Sequence, residues 1–189
     1  NGGTNWSSQS SGTSNNLRGV SFADANNGIA VGIYGTIVST SNGGANWAFQ
    51  STGTSIWYYG VSFTDSVNAT AAGSSGAIIR TSNGGINWTS QSSGTSRNFR
   101  DVSFSDKNNG LVVGAAEVVY RTTNGGANWI LQYSGSLSSG WLGVSLSDSS
   151  NGTAVGTYGT IIRTTNGSSW ISQSVVSTIN TLYSVCFIN

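Results

Sequence analysis

The sequence predicts an all-β protein, a β-propeller built of four-stranded antiparallel blades. Two observations support this prediction. A unit of about 41 residues recurs along the whole of the 189-residue chain, and each unit holds four short segments separated by turn residues. No segment has the 3.6-residue period of a helix. Four strands in each 41-residue unit are typical of a propeller blade. A β-solenoid is the alternative, although its coils are usually shorter and lack the four-strand pattern.

Two sets of residues give the same repeat register. Tryptophan recurs at a constant spacing of 41, at Trp6, Trp47, Trp88, Trp129 and Trp170. The segment "LRGVSF" at 17 returns as "YYGVSF" at 58, "FRDVSF" at 99, "WLGVSL" at 141 and "LYSVCF" at 182.

The two registers together predict one repeat domain over 1–189. It begins with the outer strand of a split blade and ends with the inner strand of a further blade. Its predicted parts are 1–16, the four blades 17–57, 58–98, 99–140 and 141–181, and the inner strand 182–189. Such an arc leaves open sheet edges, so we expect a partial propeller or a segment of a longer repeat protein.

Each predicted blade follows one order of strands and turns. In the first blade "LRGVSF" is the inner strand, and the polar cluster "ADANNG" turns the chain into "GIAVG". A tight turn "IYGT" leads to the third strand "TIVST". The stretch "TSNGGANW" then turns the chain into the outer strand "NWAFQ".

The "TSNGGANW" stretch at 40–47 could be a displayed ligand-binding motif or part of the scaffold. Asn-Gly and Gly-Gly accept the positive φ that tight turns require, and Thr, Ser and Asn side chains bond turn amides. The tryptophan is large enough to wedge one blade against its neighbour. Folding therefore explains every residue type, and we expect a structural role. The repeated asparagines are Asn42, Asn83, Asn124 and Asn166.

Composition excludes several functional classes. Seven basic and six acidic residues give a net charge of +1, which does not fit a nucleic-acid binder, and no apolar run is long enough to insert into a membrane. With no histidine, we expect no metal site and no cofactor. Serine and threonine supply 55 residues and asparagine 20, which favours an extracellular or cell-surface protein, or a periplasmic one. Cys186 lies in an apolar segment, and we expect a buried, inert thiol there.

The spacing Ser/Thr-x-Asn-Gly-Gly-x-x-Trp resembles the Asp-box, or BNR, repeat of sialidases and sortilin-like propellers. The full pattern is more similar to Ycf48-like repeats, and this likeness covers all 189 residues. The resemblance implies a β-propeller. Ycf48-like propellers of photosynthetic organisms are non-enzymatic assembly factors for photosystem II, whereas many relatives with repeats rich in Ser, Thr and Asn look like secreted bacterial proteins. The family's aspartate is asparagine here, which suits a turn better than an acidic metal site.

No catalytic residue is predicted, so we expect a protein that is not an enzyme. Four carboxylates recur at one turn position and are expected to form turns: Asp24, Asp65, Asp106 and Asp148. The remaining two, Asp101 and Glu117, come from different strand positions. A glycosidase pair needs carboxylates about 5–10 Å apart, and the sequence does not bring these two together.

A recurring arginine set has two interpretations. Arg80, Arg121 and Arg163 occupy the third strand of successive blades, where the first blade has Ser39. They can pair with turn carbonyls at blade edges, or they can form an anion-binding rim.

The loops divide between two faces of the predicted propeller. One face carries the "DxxNG" and "NGG" turns, which look alike from blade to blade. The other carries the hairpins between second and third strands and the crossovers between blades, and it varies. Aromatic residues and arginines on such turns favour contacts with partners. The candidate partner-binding residues are Tyr34, Trp57, Tyr59, Arg97, Arg100, Glu117, Trp141 and Tyr158.

These observations predict a non-catalytic secreted or cell-surface protein that acts as a protein-interaction or structural scaffold. A protein partner or self-assembly is the favoured mode. A carbohydrate-binding adhesin is the alternative, with a glycan as partner. Two further alternatives are less favoured: an assembly factor of the photosystem II type and a fragment of a glycoside hydrolase.

Overall fold

The computed structural model describes residues 3–135, 140–173 and 180–187. In this part the chain forms four separate antiparallel sheets of four strands, and in every sheet each strand pairs with the next one along the chain. Three single turns of 3₁₀ helix are the helical elements among the described residues. This arrangement confirms the predicted all-β class and the four-stranded blades of a partial propeller. None of the helices found in this part is long and apolar enough to cross a membrane.

The strands fall where the repeat predicts them. The first blade contains β1 (Leu17–Phe22), β2 (Gly28–Gly32), β3 (Ile37–Thr40) and β4 (Ala48–Gln50). The second contains β5 (Tyr58–Phe63), β6 (Ala69–Gly73), β7 (Ile78–Thr81) and β8 (Thr89–Gln91). The third contains β9 (Phe99–Phe104), β10 (Gly110–Gly114), β11 (Val118–Thr122) and β12 (Ile130–Tyr133). The fourth contains β13 (Trp141–Leu146), β14 (Gly152–Gly156), β15 (Ile161–Thr164) and β16 (Ile171–Gln173).

The second strand of each blade is buried along its whole length. Such a strand has a neighbour on each side within its own sheet, and in the second and third blades the adjacent blades cover both faces. This explains why "GLVVG" is a continuous apolar run rather than an alternating one. The outer strands are short and mostly exposed, in agreement with the serine and glutamine in them.

The hydrophobic core lies between blades. One cluster joins Ile29 and Val31 of the first blade to Tyr58 and Ala71 of the second, with Trp88 packed against it. Two further clusters join the second blade to the third and the third to the fourth, and these contain Trp129 and Trp170 in the same role. The predicted wedging function is therefore confirmed for these three tryptophans. Trp47 is half-buried and meets Phe22 edge to face at 6.0 Å, while Trp6 is 91% exposed.

The Asn-Gly-Gly turn is built by its own side chains. The Thr40 hydroxyl donates to Asn42 Oδ1 at 2.9 Å and accepts the Gly44 amide at 2.9 Å, while the Asn46 amide donates to Asn42 Oδ1 at 2.9 Å. Gly43 and Gly44 both have positive φ, at 69° and 88°. The same bonds recur in the next two blades, around Asn83 and Asn124, and Asn166 Oδ1 accepts the amides of the shortened fourth turn. The motif therefore shapes its own turn, and a purely structural role for it stays a prediction.

The recurring aspartates are also turn residues. Asp24 accepts the amides of Asn26 and Asn27 and the Asn27 side chain. These bonds, with that of the Asn27 side chain foremost, hold the pKa of Asp24 below its ordinary value. The equivalent carboxylates of the other blades make the same contacts, at Asp65, Asp106 and Asp148.

Serine hydroxyls link each inner strand to the next. The Phe63 amide donates to Ser21 Oγ at 3.1 Å, and the same bond recurs between each later pair of inner strands. It also joins the Phe187 amide to Ser145 Oγ at 3.1 Å. Residues 180–187 therefore lie beside β13, where the inner strand of a following blade would lie.

Both chain ends depart from the prediction in detail. No strand is assigned within the described parts of 1–16 and 182–189, because none of the described segments pairs with them in a ladder. Cys186 is exposed, so the expectation of a buried thiol is wrong. Its segment meets β13 through the Phe187 amide and the end of β14 through the Leu182 amide, and these contacts leave the thiol exposed. Parts of two predicted crossovers, 136–139 and 174–179, lie outside the described residues, as do 1–2 and 188–189.

Candidate functional site

Hydrogen bonds show that the loops occupy two faces, as the sequence predicts. The Gly43 amide donates to the Asn26 carbonyl at 2.9 Å, so the "NGG" turn and the "DxxNG" turn of a blade meet on one face. The Gly35 amide donates to Ile56 O at 2.6 Å, and the Ile33 amide donates to Asn16 O at 3.1 Å. The hairpin between β2 and β3 thus touches the crossovers on both sides of it. We call these the turn face and the hairpin face.

On the hairpin face the starts of the inner strands surround a pocket of about 480 Å³. Side chains alternate along a strand, so the first residue of each inner strand points between blades and the second points into the space that these strands share. The second residues supply most of the lining, and one crossover residue completes it. The inner-strand pocket is lined by Arg18, Trp57, Tyr59, Arg100, Leu142 and Tyr183.

The pocket combines positive charge with aromatic surface. The guanidinium carbon of Arg100 lies 4.6 Å from the centre of the Tyr59 ring, which is the geometry of a cation–π contact. Arg18 supplies a second positive charge, and none of the described lining residues carries a carboxylate. Both tyrosine hydroxyls can donate hydrogen bonds to a ligand or accept them, and the Trp57 indole N–H can donate one. The pocket therefore suits a ligand that offers an anionic or acceptor group beside an apolar one.

A second aromatic pair extends this surface outward. Tyr34, at the tip of the first hairpin, meets Trp57 edge to face at 5.8 Å. Tyr34 is 59% exposed and Trp57 37% exposed. Tyr34 has φ 56°, and Tyr158 adopts the same left-handed conformation in the fourth blade with 67% of its surface exposed. An L-residue other than glycine is uncommon there, and the tight hairpin imposes it.

The predicted partner-binding residues are only partly brought together. Trp57, Tyr59 and Arg100 line one pocket, while Tyr34 borders Trp57. Arg97 and Tyr158 are exposed but lie outside the pocket lining.

Two of the predicted partner-binding residues are buried, and that part of the prediction is wrong. Trp141 is 2% exposed because it is the first residue of an inner strand, the same position as buried Tyr58 and Phe99. Glu117 is 5% exposed, and its carboxylate turns inward against Gly135 rather than outward from the hairpin.

Three pocket residues were not among the predicted ones: Arg18, Leu142 and Tyr183. The signal for them was present, because each is the second residue of a "GVSF"-type segment, as Tyr59 and Arg100 are. Alternation within these aligned segments identifies every lining residue except Trp57, which belongs to a crossover.

Two of the recurring arginines bind carbonyl oxygens of turns on the turn face. Arg80 Nη2 donates to the Lys107 carbonyl of the following blade at 2.8 Å. Arg121 donates to the Ser149 carbonyl at 2.6 Å and to the Gly167 carbonyl, both in the blade after its own. For these two residues the pairing with turn carbonyls is the observed role. Arg163 is exposed.

The carboxylates of the described residues are committed to the scaffold. Apart from the turn aspartates and buried Glu117, there is Asp101 on β9, which accepts the Val102 and Val144 amides at 2.9 Å each. Burial raises the pKa of Asp101 to about 6, and the two amide bonds only partly offset that rise. No group of three or more metal-ligating side chains occurs in the part of the chain that the structure describes.

Comparison with known proteins identifies the fold. No protein-family model matches the chain, and no curated protein matches it. Among solved structures, YCF48 bound to D1 peptide superposes with a TM-score of 0.73 at 20% sequence identity, over 93% of this chain and 58% of that one. An ancestral GH74 enzyme superposes with a TM-score of 0.67 at 19% identity, over 88% of this chain and 27% of that one.

The GH74 enzyme of Niastella koreensis is similar at a TM-score of 0.65 and 15% identity, over 82% of this chain and 30% of that one. The chain thus spans a little over half of the YCF48 structure and less than a third of the GH74 enzymes. The sequence resemblance is confirmed at the level of the fold: the chain has the β-propeller architecture of Ycf48-like proteins.

Proposed function

We propose that the chain is a non-catalytic docking module whose inner-strand pocket binds a peptide segment of a protein partner. The observation that carries this proposal is the pocket itself, in which Arg100 stacks on Tyr59 beside Trp57 and Arg18. Tryptophan, tyrosine and arginine are the residues that most often dominate the energy of a protein interface. The superposition on YCF48, whose structure holds a bound D1 peptide, supports the same mode of action.

The charge of the pocket selects the class of peptide. Among the described lining residues there are two guanidinium groups and no carboxylate, so the pocket attracts an acidic side chain or a terminal carboxylate. The aromatic rings pack against the apolar atoms beside that group. We propose a short segment with at least one carboxylate next to an apolar residue.

The hydrogen bonds and the burial of the carboxylates support the proposal that the protein is not an enzyme. GH74 enzymes share the fold, so the fold does not decide this question. Hydrolysis of a glycosidic bond needs two carboxyl groups on either side of the bond. Here the turn aspartates are occupied by turn amides, and Asp101 and Glu117 are buried.

A secreted or cell-surface location and a scaffold role remain part of the proposal. The support is a surface rich in serine, threonine and asparagine with little charge. Carbohydrate binding is the second candidate, and the exposed Tyr34–Trp57 pair favours it, because sugars stack on aromatic rings that reach the solvent.

The experiment selects ligands from a random peptide library on the wild-type chain and measures their affinity for three variants. Trp57→Ala and Arg100→Ala remove pocket groups, while Arg97→Ala removes an exposed arginine from the same face outside the pocket. We expect selected peptides to carry a carboxylate and to bind the two pocket variants at least tenfold more weakly. Equal binding to all variants, or selection of peptides without carboxylates, would contradict the proposal. Binding of an oligosaccharide array that Tyr34→Ala abolishes would favour the second candidate.

A further inference from the structure

The turn face contains a cavity between the first and second blades. It has a volume of about 250 Å³ and draws residues from both blades. From the first blade Ser39 and Trp47 line it, and from the second blade Phe63, Ser66 and Gly84. Its rim is open to solvent at the exposed Ser41 and Asn42.

The same position is filled by arginine at the next two blade junctions. Ser39 aligns with Arg80 and Arg121 in the repeat. Arg80 reaches across to the Lys107 carbonyl and lies over the Phe104 ring, with its guanidinium carbon 5.4 Å from the ring centre. Arg121 reaches the Ser149 and Gly167 carbonyls in the same way.

The groups of the following blade that these guanidinium groups meet have equivalents at the first junction, although Ser39 is too short to reach them. The Thr70 hydroxyl, which Arg80 Nη1 also contacts at 3.3 Å, has none, because Ile29 takes its place. Ser66 is the equivalent of Lys107, Phe63 of Phe104, and Gly84 of Gly125. The guanidinium carbon of Arg80 lies 3.7 Å from the place where a Cβ on Gly125 would be. At the equivalent Gly84 no guanidinium is near, and the atom nearest to the Cβ position is the Ser66 carbonyl oxygen, at 3.5 Å. The Ser39 hydroxyl instead accepts a bond from Gln50 Nε2 at 2.9 Å.

A second cavity shows what the arginine changes. It lies at the equivalent place in the second blade, with a volume of about 270 Å³, and all of its lining residues belong to that blade. Arg80 is one of them and separates this cavity from the third blade. At the first junction nothing takes the place of Arg80, so the cavity continues to Phe63, Ser66 and Gly84.

The electrostatic surroundings favour a cation in the first cavity. Asp24 and Asp65 lie in the two aspartate turns that flank it, "ADANNG" and "TDSVN", and none of the described residues in its lining is positively charged. Backbone carbonyl oxygens, a ring face and nearby carboxylates form a suitable environment for a planar guanidinium.

We propose that this cavity binds the guanidinium group of an arginine side chain from a protein partner, in the position that Arg80 and Arg121 occupy at the other junctions. The site is on the turn face, so it is separate from the inner-strand pocket and does not depend on the function proposed for that pocket. Its chemistry is also opposite, because it takes a cation where the inner-strand pocket takes an anion.

The test uses N-acetyl-arginine amide as the probe and N-acetyl-citrulline amide, its uncharged isostere, as the control. Binding is followed by the amide NMR signals of the wild-type chain. We expect saturable shifts centred on Ser66 and Gly84 with the arginine probe, and binding at least tenfold weaker with citrulline. The variant Ser39→Arg fills the cavity from within and should reduce probe binding by at least tenfold.

A matched variant tests the same idea by gain of binding. Arg80→Ser recreates the cavity at the second junction and should add a second set of shifts, at Lys107 and Gly125. Equal binding of arginine and citrulline to wild type would overturn the proposal without the use of any variant. Undiminished binding to Ser39→Arg, or shifts that avoid Ser66 and Gly84, would overturn it as well.

Discussion

The guanidinium carbon of Arg100 lies 4.6 Å from the centre of the Tyr59 ring, at the junction of two inner strands. This contact fixes a long side chain that would otherwise be free in the solvent. Both groups are half-exposed, so the contact itself contributes only about 0.5–1 kcal/mol to stability. Its main effect is to order the pocket before a ligand arrives.

Replacement of Arg100 should therefore separate binding from folding. We expect Arg100→Ala to lower the free energy of unfolding by no more than about 1 kcal/mol and to weaken peptide binding at least tenfold. Urea denaturation and titration with a selected peptide measure the two quantities. A variant that unfolds much more easily and binds normally once folded would show that Arg100 is only structural.

The hydroxyl of Thr81 holds the Asn-Gly-Gly turn of the second blade together. It is 1% exposed, accepts the Gly85 amide at 2.9 Å and donates to Asn83 Oδ1 at 2.9 Å. Thr81→Val keeps the shape but leaves a buried amide without its acceptor, so we expect a loss of about 1–3 kcal/mol in denaturation experiments. Ser82→Ala, at the exposed neighbour, is the control and should stay within about 0.5 kcal/mol of wild type. Equal effects of the two changes would contradict the scaffold role of the motif.

Burial of Asp101 predicts a pH-dependent stability. Its pKa is raised from 3.8 to about 6 in the folded state, so the folded chain binds a proton more tightly than the unfolded chain does. The favourable contribution is fully present below pH 3.8 and is lost as the pH rises through 6. The difference between the two pKa values corresponds to roughly 3 kcal/mol.

The variant Asp101→Gly isolates this effect, because Gly19, Gly60 and Gly143 occupy the same position in the other blades. The stability of wild type relative to this variant should fall by about 2 kcal/mol between pH 4 and pH 7, because part of the full effect is already lost at pH 4. The turn aspartates, whose pKa values are lowered, titrate in both proteins and cancel in the comparison. A stability difference that rises with pH would have the wrong sign for this explanation.

Two hairpin tyrosines differ in what offsets their backbone strain. Tyr158 has φ 56° and is mostly exposed, so Tyr158→Asn should raise the free energy of unfolding by about 0.5–1 kcal/mol. Tyr34 has the same φ but packs on Trp57, and this aromatic contact stabilises the fold by about as much as the backbone strain destabilises it. Tyr34→Asn should therefore be close to neutral. If thermal denaturation shows Tyr158→Asn to be destabilising, the exposed ring contributes a contact that the structure does not show.

The fold could be predicted from the sequence because its strands and turns recur at a fixed period. Trp88, Trp129 and Trp170 wedge the blades as expected, and Asn42 shapes its turn as expected. These roles depend on local chemistry and on position within the repeat, and both can be read from one chain. The exposed Trp6 shows the limit, because the same residue has no such role where no blade packs over it.

The candidate sites were harder to predict because they depend on side-chain direction and on contacts between blades. Loop position predicts Trp141 and Glu117 at the surface, but strand alternation buries the first and an inward turn of the side chain buries the second. The cavity beside Ser39 arises from a side chain that is absent, and its lining comes from two blades. The sequence showed Ser39 as the exception among the arginines, but it did not show which carbonyls those arginines reach.

The central claim, that the inner-strand pocket receives a peptide, is tested most directly by hydrogen–deuterium exchange of the wild-type chain with and without a selected peptide. The account predicts slower exchange at the crossovers and inner-strand starts around 56–60 and 97–102, and unchanged exchange at the turns 41–46 and 82–87. Protection of those turns, with no change at 56–60 and 97–102, would contradict it.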